Sequence, residues 1–572
     1  MEKNIQVIKF SIIYAQAGLS AWQHSAVQTL MASGKASLVT CIQVATPSSK
    51  ARSIYYKSLW NSYLRWFYKP SVLRLMNPLE EWKQVSHLTC SANVLATLGP
   101  DNAEFTTKVS SCQPDFILNF SGCPVGEELR RVPRLGIWSF LLNGFEISEN
   151  NPVGFQEIIT GAALTSVFMV QLTVAGLVVL RQGVFRTQRA SLSYAADKIY
   201  TECAHWPADQ CRHLQVSGSF MVEAPSPPPV VREFRPPAVG KLLSFWGRLA
   251  VDKLWQLYNT FLVADQWNIG VVNRPIRDFL QPASLQGLAI ETPALPNRNV
   301  FYADCFARQE PTGAVVYFEL YDYRVRRGNI SRLPYPWLPG STPVPVLDFP
   351  YHLSYPFLHG PYCIPEAWMS ESIRLYDLRE PVIDPAAGQV LLPVPGVDAT
   401  LLEYDGRYWL FYARTDRDAM LNLFIAYADA LHGPWHEHAQ NPVKTDIRSA
   451  RPAGPFFEVA GKLYRPTQDC VSDYGYAINI QEVLTLTTTE YREQDAAYLP
   501  SLHPGYPAGM HTLAALDATH TLIDFKRRRF IPMATLIASW GVISSIVYGK
   551  RGRRKPPITV PKLPVISKGR LP

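Results

Sequence analysis

Residues 398–416 read DATLLEYDGRYWLFYARTD, two alternating apolar and polar runs joined at Asp405-Gly406. An Asp-Gly pair between such runs is a strong hairpin signal, because the tight turn that joins two strands needs residues tolerant of positive φ. Working outward, the same texture of polar residue, strand, turn and strand returns on both sides. YADCFAR is centred on Asp304, HLSYPFL begins at His352, ARPAGPFFEVAGKLYRP is centred on Arg451 and GMHTLAAL on His511. With Asp398, these anchors recur at intervals of about fifty residues, the length of a four-stranded repeat. Five units predict an all-β five-bladed propeller over residues 263–525. The first strand of each blade then lines the axis, and the polar residues at its start converge there.

The densest polar stretch is 448–475, RSARPAGPFFEVAGKLYRPTQDCVSDYG. Arg451, Arg465, Gln468, Asp469 and Asp473 stand among turn residues and short strands, as expected where several strands meet at a site.

The first 215 residues have a different texture. QVIKFSIIY (6–14), SLVTCIQVA (37–45) and PDFILNF (114–120) read as strands, and Trp22–Ala32 as a helix. Alternating strands and helices predict an α/β domain with a mostly parallel sheet. No GxGxxG or P-loop pattern occurs, so no nucleotide cofactor is indicated. Residues 158–180 carry no charge and are long enough to cross a bilayer as a helix. They are also rich in Thr and Val and hold two glycines, which suits buried strands. CAHWPADQCRH places Cys203, His205, Cys211 and His213 within eleven residues, but not at zinc-finger spacing, so no metal is expected. Residues 216–262 read as a Pro-rich linker, with Pro225, Pro227, Pro228, Pro229, Pro236 and Pro237, followed by an amphipathic packing helix over 240–262.

Composition bounds the rest. Hydrophobic residues make up 47% and charged residues 18% of the 572, a globular balance with two to four domains' worth of chain. Of the 55 Lys and Arg, twelve lie from Lys526 onwards, together with none of the 47 Asp and Glu. The net charge of +8 therefore belongs to a tail, 526–572, and no nucleic-acid partner is expected for the body. In that tail KRRR precedes an apolar run and KRGRRK follows it, a pattern suited to anionic lipid. Nine scattered cysteines without a CxxC pair fit a reducing compartment. The start MEKNIQVIKFSIIYA has no leader-like cleavage site. The expectation is a cytoplasmic protein, peripheral at the inner face of the membrane through its tail.

Two resemblances sharpen this. QPDFILNFSG, RLGIWSFLLNGF and the run NPVGF through GVF, within 113–185, resemble the folate-dependent formyltransferase domain, over roughly residues 5–215. The family's Asn, His and Asp that position formyl-folate and move protons align with Ser139, Leu141 and the neighbourhood of Ala175 and Gly176. The resemblance therefore implies an inactive, formyltransferase-like α/β domain, since leucine cannot accept a proton. WNIGVV, YADCF, HLSYPF, IPEAW, GPWHEHAQNPV, ARPAG, RPTQDC and GMHT, in order through 266–524, are similar to the N-terminal domain of glucosamine inositolphosphorylceramide transferases. That domain is similar in turn to the five-bladed glycoside hydrolases. Bacterial proteins of this type join such a propeller to a formyltransferase-like domain. The separate glycosyltransferase domain of the plant enzymes is absent from the match, and Cys305 replaces a usual proline.

What the second resemblance implies is a carbohydrate-active protein of glycan or glycolipid assembly, holding a sugar, sugar phosphate or glycolipid in the channel. Glycosyl transfer or hydrolysis needs paired carboxylates. Asp304, Glu366, Asp398 and Asp469 are the catalytic candidates, with His352, Tyr355, Trp368, Arg451, Arg465, Gln468 and His511 binding substrate. No cofactor is expected. A non-catalytic glycan-binding scaffold is the first alternative. A formyltransferase acting on an amino sugar or aminoacyl-tRNA is the second.

Overall fold

The computed structural model describes residues 7–45, 59–76, 81–96, 100–146, 151–223, 229, 237–285 and 287–530. The N-terminal domain is built on one sheet, with strand order 176–186, 164–173, 137–142, 116–119, 8–15, 36–45 and 86–91. Its first five strands in chain order pair in parallel, while 164–173 and 176–186 form an antiparallel hairpin at one side. Residues 158–180 are thus two strands and a turn, preceded by the short helix Phe155–Thr160. Strands covered on both faces need continuous apolar runs, and FILN and IWSFLL are buried throughout. Phe116 stacks between Phe10 and Trp138 at centroid distances of 5.5 and 3.9 Å.

One core group is out of place chemically. Glu157, in the short helix, is buried and its Oε1 has no hydrogen-bond partner, and burial pushes its carboxyl up to about 7. The folded state therefore keeps a proton that the unfolded chain releases above about pH 4.5. Stability is full below that pH and falls as pH rises towards 7, by on the order of 3 kcal/mol. Glu157→Gln should raise the melting temperature at pH 8 and leave it unchanged at pH 4, as followed by circular dichroism.

Five antiparallel sheets follow, and together they form the propeller. Blades one to four are the consecutive strands from 300–347, 354–392, 396–437 and 457–500. Blade five is assembled from the two ends of this region. Its innermost strand Leu513–Ala515 pairs with Thr521–Phe530, which pairs with Val263–Val272, which pairs in turn with Ile290–Glu291. The closing strand Thr521–Phe530 meets Val263–Val272 over ten residue pairs, from Val272↔Thr521 to Val263↔Phe530.

This closure corrects the expected boundary at residue 525. Lys526, Arg527, Arg528 and Arg529 are rungs of the last blade and not the start of a tail. Lys526 is fully buried, donates from Nζ to Asp473 Oδ2 (3.0 Å) and to the Tyr474 carbonyl (2.6 Å), and lies over the Trp267 ring. A basic run looks solvated in sequence, but here Arg527 donates to Gln266 of the opposing strand, Arg528 to Asp473 and Arg529 to the Arg298 carbonyl. The remaining tail, 531–572, with its apolar run, lies outside the described residues.

The two domains are docked by buried polar groups. Arg417, beside blade three, donates to both oxygens of Glu202 (3.2 and 2.5 Å) and to Asp209 (3.3 Å), and Asn422 adds a bond to Glu202 (3.0 Å). From the other side Arg181 reaches the Pro442 carbonyl (3.0 Å) and Thr445 Oγ1 (2.8 Å). The sheet-edge strand 176–186 bridges to Asp446, so the propeller covers that edge. Leu421, Ile447 and Cys470 of the propeller join the N-terminal hydrophobic core.

Candidate functional site

The innermost strands of blades one, two and three share a device. Each carries a bulge, and within it a non-glycine residue with positive φ: Asp304 (53°), Tyr355 (43°) and Asp398 (49°). A bulge breaks the ladder and re-aims one side chain. Here it turns Asp304 and Asp398 towards neighbouring blades. Blade four reaches the same place through ARPAG. There Gly454, at φ 127°, passes so close to blade five that a Cβ would lie 2.1 Å from the Leu513 carbonyl oxygen.

Two linked clusters result. In the first, His511 Nδ1 lies 2.5 Å from Asp524 Oδ2 and its Nε2 3.3 Å from Asp304 Oδ1, with the ring stacked on Trp267 at 4.0 Å. Asp304 also accepts from Thr512 Oγ1 (3.2 Å) and from the Tyr355 amide of blade two (3.2 Å). In the second, Asp398 accepts from Arg451 Nε (2.5 Å) and Gln468 Nε2 (2.9 Å). Arg451 lies over the Tyr474 ring at 4.9 Å and reaches Glu366 Oε2 at 3.5 Å. All of these except the half-buried Tyr474 are buried, so each charge acts in a medium where it is weakly screened.

Burial sets the protonation pattern. Asp304 is pushed up to about 6 by burial, with Asp398 and Asp524 adding to that push against the opposing pull of His511. Burial raises Glu366 well above the carboxylate range, helped by Asp398 and opposed by Arg451. Glu319 is raised likewise by burial and then by Asp304 and Glu366. Asp524 goes the other way: burial opposes, but His511 and the amides of His511 and Asp304 hold it down. His511 would be lowered by burial, yet Asp524 and Asp304 raise it. Arg451 joins Glu366 and Asp398, with Nε on Asp398 Oδ2 and Nη2 3.5 Å from Glu366 Oε2.

Of the spaced anchors, Asp304, Asp398, Arg451 and His511 come together here, joined by Glu366 and Gln468. The other five expected residues do not join them. Asp469 faces away, because successive residues of a strand point to opposite sides and Gln468 takes the inward position. Its carboxylate instead accepts from the Val471 amide (2.8 Å), and burial raises it beside Tyr498. Arg465 is buried in a two-pronged ion pair with Glu493 (2.8 and 2.7 Å) and donates to the Ser449 and Ala450 carbonyls as well, which holds it within blade four. The Tyr355 ring is fully buried against Phe306, and its hydroxyl meets Thr400 and accepts from the Gly454 amide, so it cannot stack on a ligand. His352 accepts from the Gly328 amide (3.0 Å) and lies 3.7 Å from Glu319. Trp368, two residues beyond Glu366, is exposed.

The second strands supply what the sequence analysis missed. Glu319 and Asp524 stand beside the inner strands in register with them, as Glu366 and Gln468 do in their own blades. An acid inside the apolar runs VVYFELY and LIDF was the available signal. Asp304, His511 and Asp524 also present ligand atoms within 4.8 Å of one another, the one such group among the described residues able to surround a cation.

In the N-terminal domain, Ser139 and Leu141 occupy the strand 137–142, and Ala175 the hairpin turn. Beside Ser139 the free volume is only about 10 Å³, about one water, because Trp22 packs edge-on to Phe120 and Phe140.

Residues 342–501 match the family model described as glucosamine inositolphosphorylceramide transferase 1, N-terminal. The matched segment runs from blade one into the last strand of blade four. Among curated proteins, glucosamine inositolphosphorylceramide transferase 1 of Oryza sativa subsp. indica is 36% identical over 157 residues, 26% of this chain and 21% of that protein. The protein of the same name from Arabidopsis thaliana is 33% identical over 162 residues, 27% of this chain. The chain spans about a fifth of the length of the curated relatives it matches. Among solved structures, a thermostable family-43 glycoside hydrolase aligns with 36% of this chain and 77% of its own, at 12% identity and TM-score 0.28. Glycinamide ribonucleotide transformylase 1 from Symbiobacterium toebii aligns with 37% and 89%, at 11% identity and TM-score 0.26. The fold assignment itself rests on strand order and blade closure.

Proposed function

We propose that this is a carbohydrate-active protein of glycan or glycolipid assembly, with the sugar of its substrate bound at the axis of the propeller. One observation carries the reading: five blades bring an arginine, a histidine and several carboxyls together there, and their surroundings push protonation in opposite directions. Such a split is how a site holds an acid and a base at one pH. Glu366, kept protonated by burial, is the proton donor to the leaving oxygen. Asp304, pushed up to about 6, is the base near neutral pH. Arg451 holds Asp398 and suits a phosphate or carboxylate on the ligand. Similarity of 342–501 to the plant transferase segment supports a glycolipid as the class of substrate.

The rate should rise with pH through about 6, as Asp304 loses its proton, and fall at higher pH as Glu366 loses its own. Glu366→Gln should cut turnover by at least ~100-fold while sugar binding persists. A second reading is a non-catalytic glycan-binding scaffold, favoured by the inter-blade bonds that already occupy Asp304 and Asp398. A panel of nucleotide sugars and glycosides, assayed for turnover and by calorimetry, separates them. Binding without turnover, lost in Arg451→Met, identifies the scaffold. Neither binding nor turnover across the panel overturns both.

A further inference from the structure

The helix Val239–Leu262 has two apolar faces, and the described residues cover only one. Leu242 and Phe245 are buried, with Trp246 and Leu249 packed behind them, against Trp60, Tyr63 and Phe155 of the N-terminal domain. A second stripe runs through Leu243, Gly247, Val251, Leu254, Tyr258 and Phe261 at steps of four or three, the spacing of one helix face. Val251 and Leu254 are each 66% exposed and Trp255 57%. The Trp255 ring stacks on Tyr258 of the same helix. Next to it, the helix Leu59–Phe67 packs on the buried side through Tyr63 but leaves Trp66 at 65% and Phe67 at 75% exposure. A free apolar stripe of this kind is not needed for the packing role expected of the helix.

Charge says what covers it. The two helices carry Arg65, Lys241, Arg248 and Lys253 against the single acid Asp252. Arg65 and Lys69 flank the Trp66 ring at 5.7 and 6.0 Å. Beside Val251 a groove of about 460 Å³ is lined by Arg189, Arg248, Ser244 and Asp252. Tryptophan and leucine on one side with lysine and arginine at the flanks is the composition of a helix lying in a bilayer interface. The basic surplus selects anionic lipid. No helix among the described residues is long and apolar enough to cross a membrane, so contact there is in the plane of the bilayer.

We propose that the free face of Val239–Leu262, with Trp66 and Phe67, is a docking surface for an anionic membrane. It stands whether or not the propeller axis holds a sugar, and it is separate from any contribution of residues 531–572. The test uses the full chain with phosphatidylcholine vesicles, with and without phosphatidylglycerol. Amide exchange in residues 250–260 should slow when the phosphatidylglycerol vesicles are added, a local readout that binding elsewhere does not move. Leu254→Glu with Trp255→Glu should abolish that slowing and lower vesicle partition about ten-fold, with the melting temperature held. Exchange in 250–260 that is indifferent to vesicles overturns the proposal. So does slowing that instead follows protein concentration alongside a dimeric mass, which would make the face a contact between two copies.

Discussion

A chain that stops at Phe525 is expected not to close its propeller, whereas one that stops at Phe530 should fold. The difference is five residues, but they are half of the ten rungs that join the two ends of the propeller. They include Lys526, whose ammonium is enclosed by Asp473, the Tyr474 carbonyl and the Trp267 ring. Losing them opens blade five and uncovers Trp267, on which His511 is stacked. The point variant Lys526→Met should fold but lose on the order of 3 kcal/mol, since it strips a buried partner from Asp473. Near-ultraviolet circular dichroism and thermal melts of the three chains check this. A cooperative melt with native aromatic signal in the chain ending at Phe525 would show that the clasp is dispensable.

Replacing Arg417 by Met should uncouple the two domains. Arg417 is the shared partner of Glu202 and Asp209, both buried. Burial alone would raise Glu202, yet Arg417 holds it down to about 2. Removing one partner of a buried pair leaves the other charge without compensation, at about 3–5 kcal/mol. Calorimetry should then resolve two transitions where the wild type gives one. Adding Glu202→Gln should recover much of the loss, because the stranded charge is gone. The sign with pH follows: the folded value lies below the unfolded one, so this contribution is complete above about pH 4.5 and disappears as pH falls towards 2. Acid should therefore reproduce the split in the wild type, and an unchanged single transition in Arg417→Met would refute the coupling.

Much of the architecture was legible in the residues, for reasons of periodicity. The Asp405-Gly406 turn and the anchors at 304, 352, 398, 451 and 511 mark five repeats, and the strand Gly396–Tyr404 pairs with Arg407–Arg414 as they predict. The closing strand was obscured because FKRRRF reads as a charged surface, while its partners lie some 260 residues away. At the site, the anchors on innermost strands were found because each stands at the start of a repeat. Glu319 and Asp524 were not, because a single acid inside an apolar strand has no repeat to mark it. Asp469, Arg465 and Tyr355 have other uses that sequence does not separate from a site: Tyr355 ties blade two to Thr400 and Gly454, while Arg465 and Asp469 are bonded within blade four. Only pairing geometry tells these uses apart.

The clasp also imposes an order on synthesis. Val263–Val272 emerges early, but the strand that pairs with it is made last. At about 5–20 residues per second, roughly 250 intervening residues take on the order of 10–50 s. Through that interval the nascent VADQWNIGVV strand has a bare edge, open to pairing with the wrong neighbour. The N-terminal domain is complete by then and can hold blade three through Arg181, Glu202 and Asp209 as it forms. That domain would thus serve as a built-in template on which the ring of blades is wound until its two ends meet.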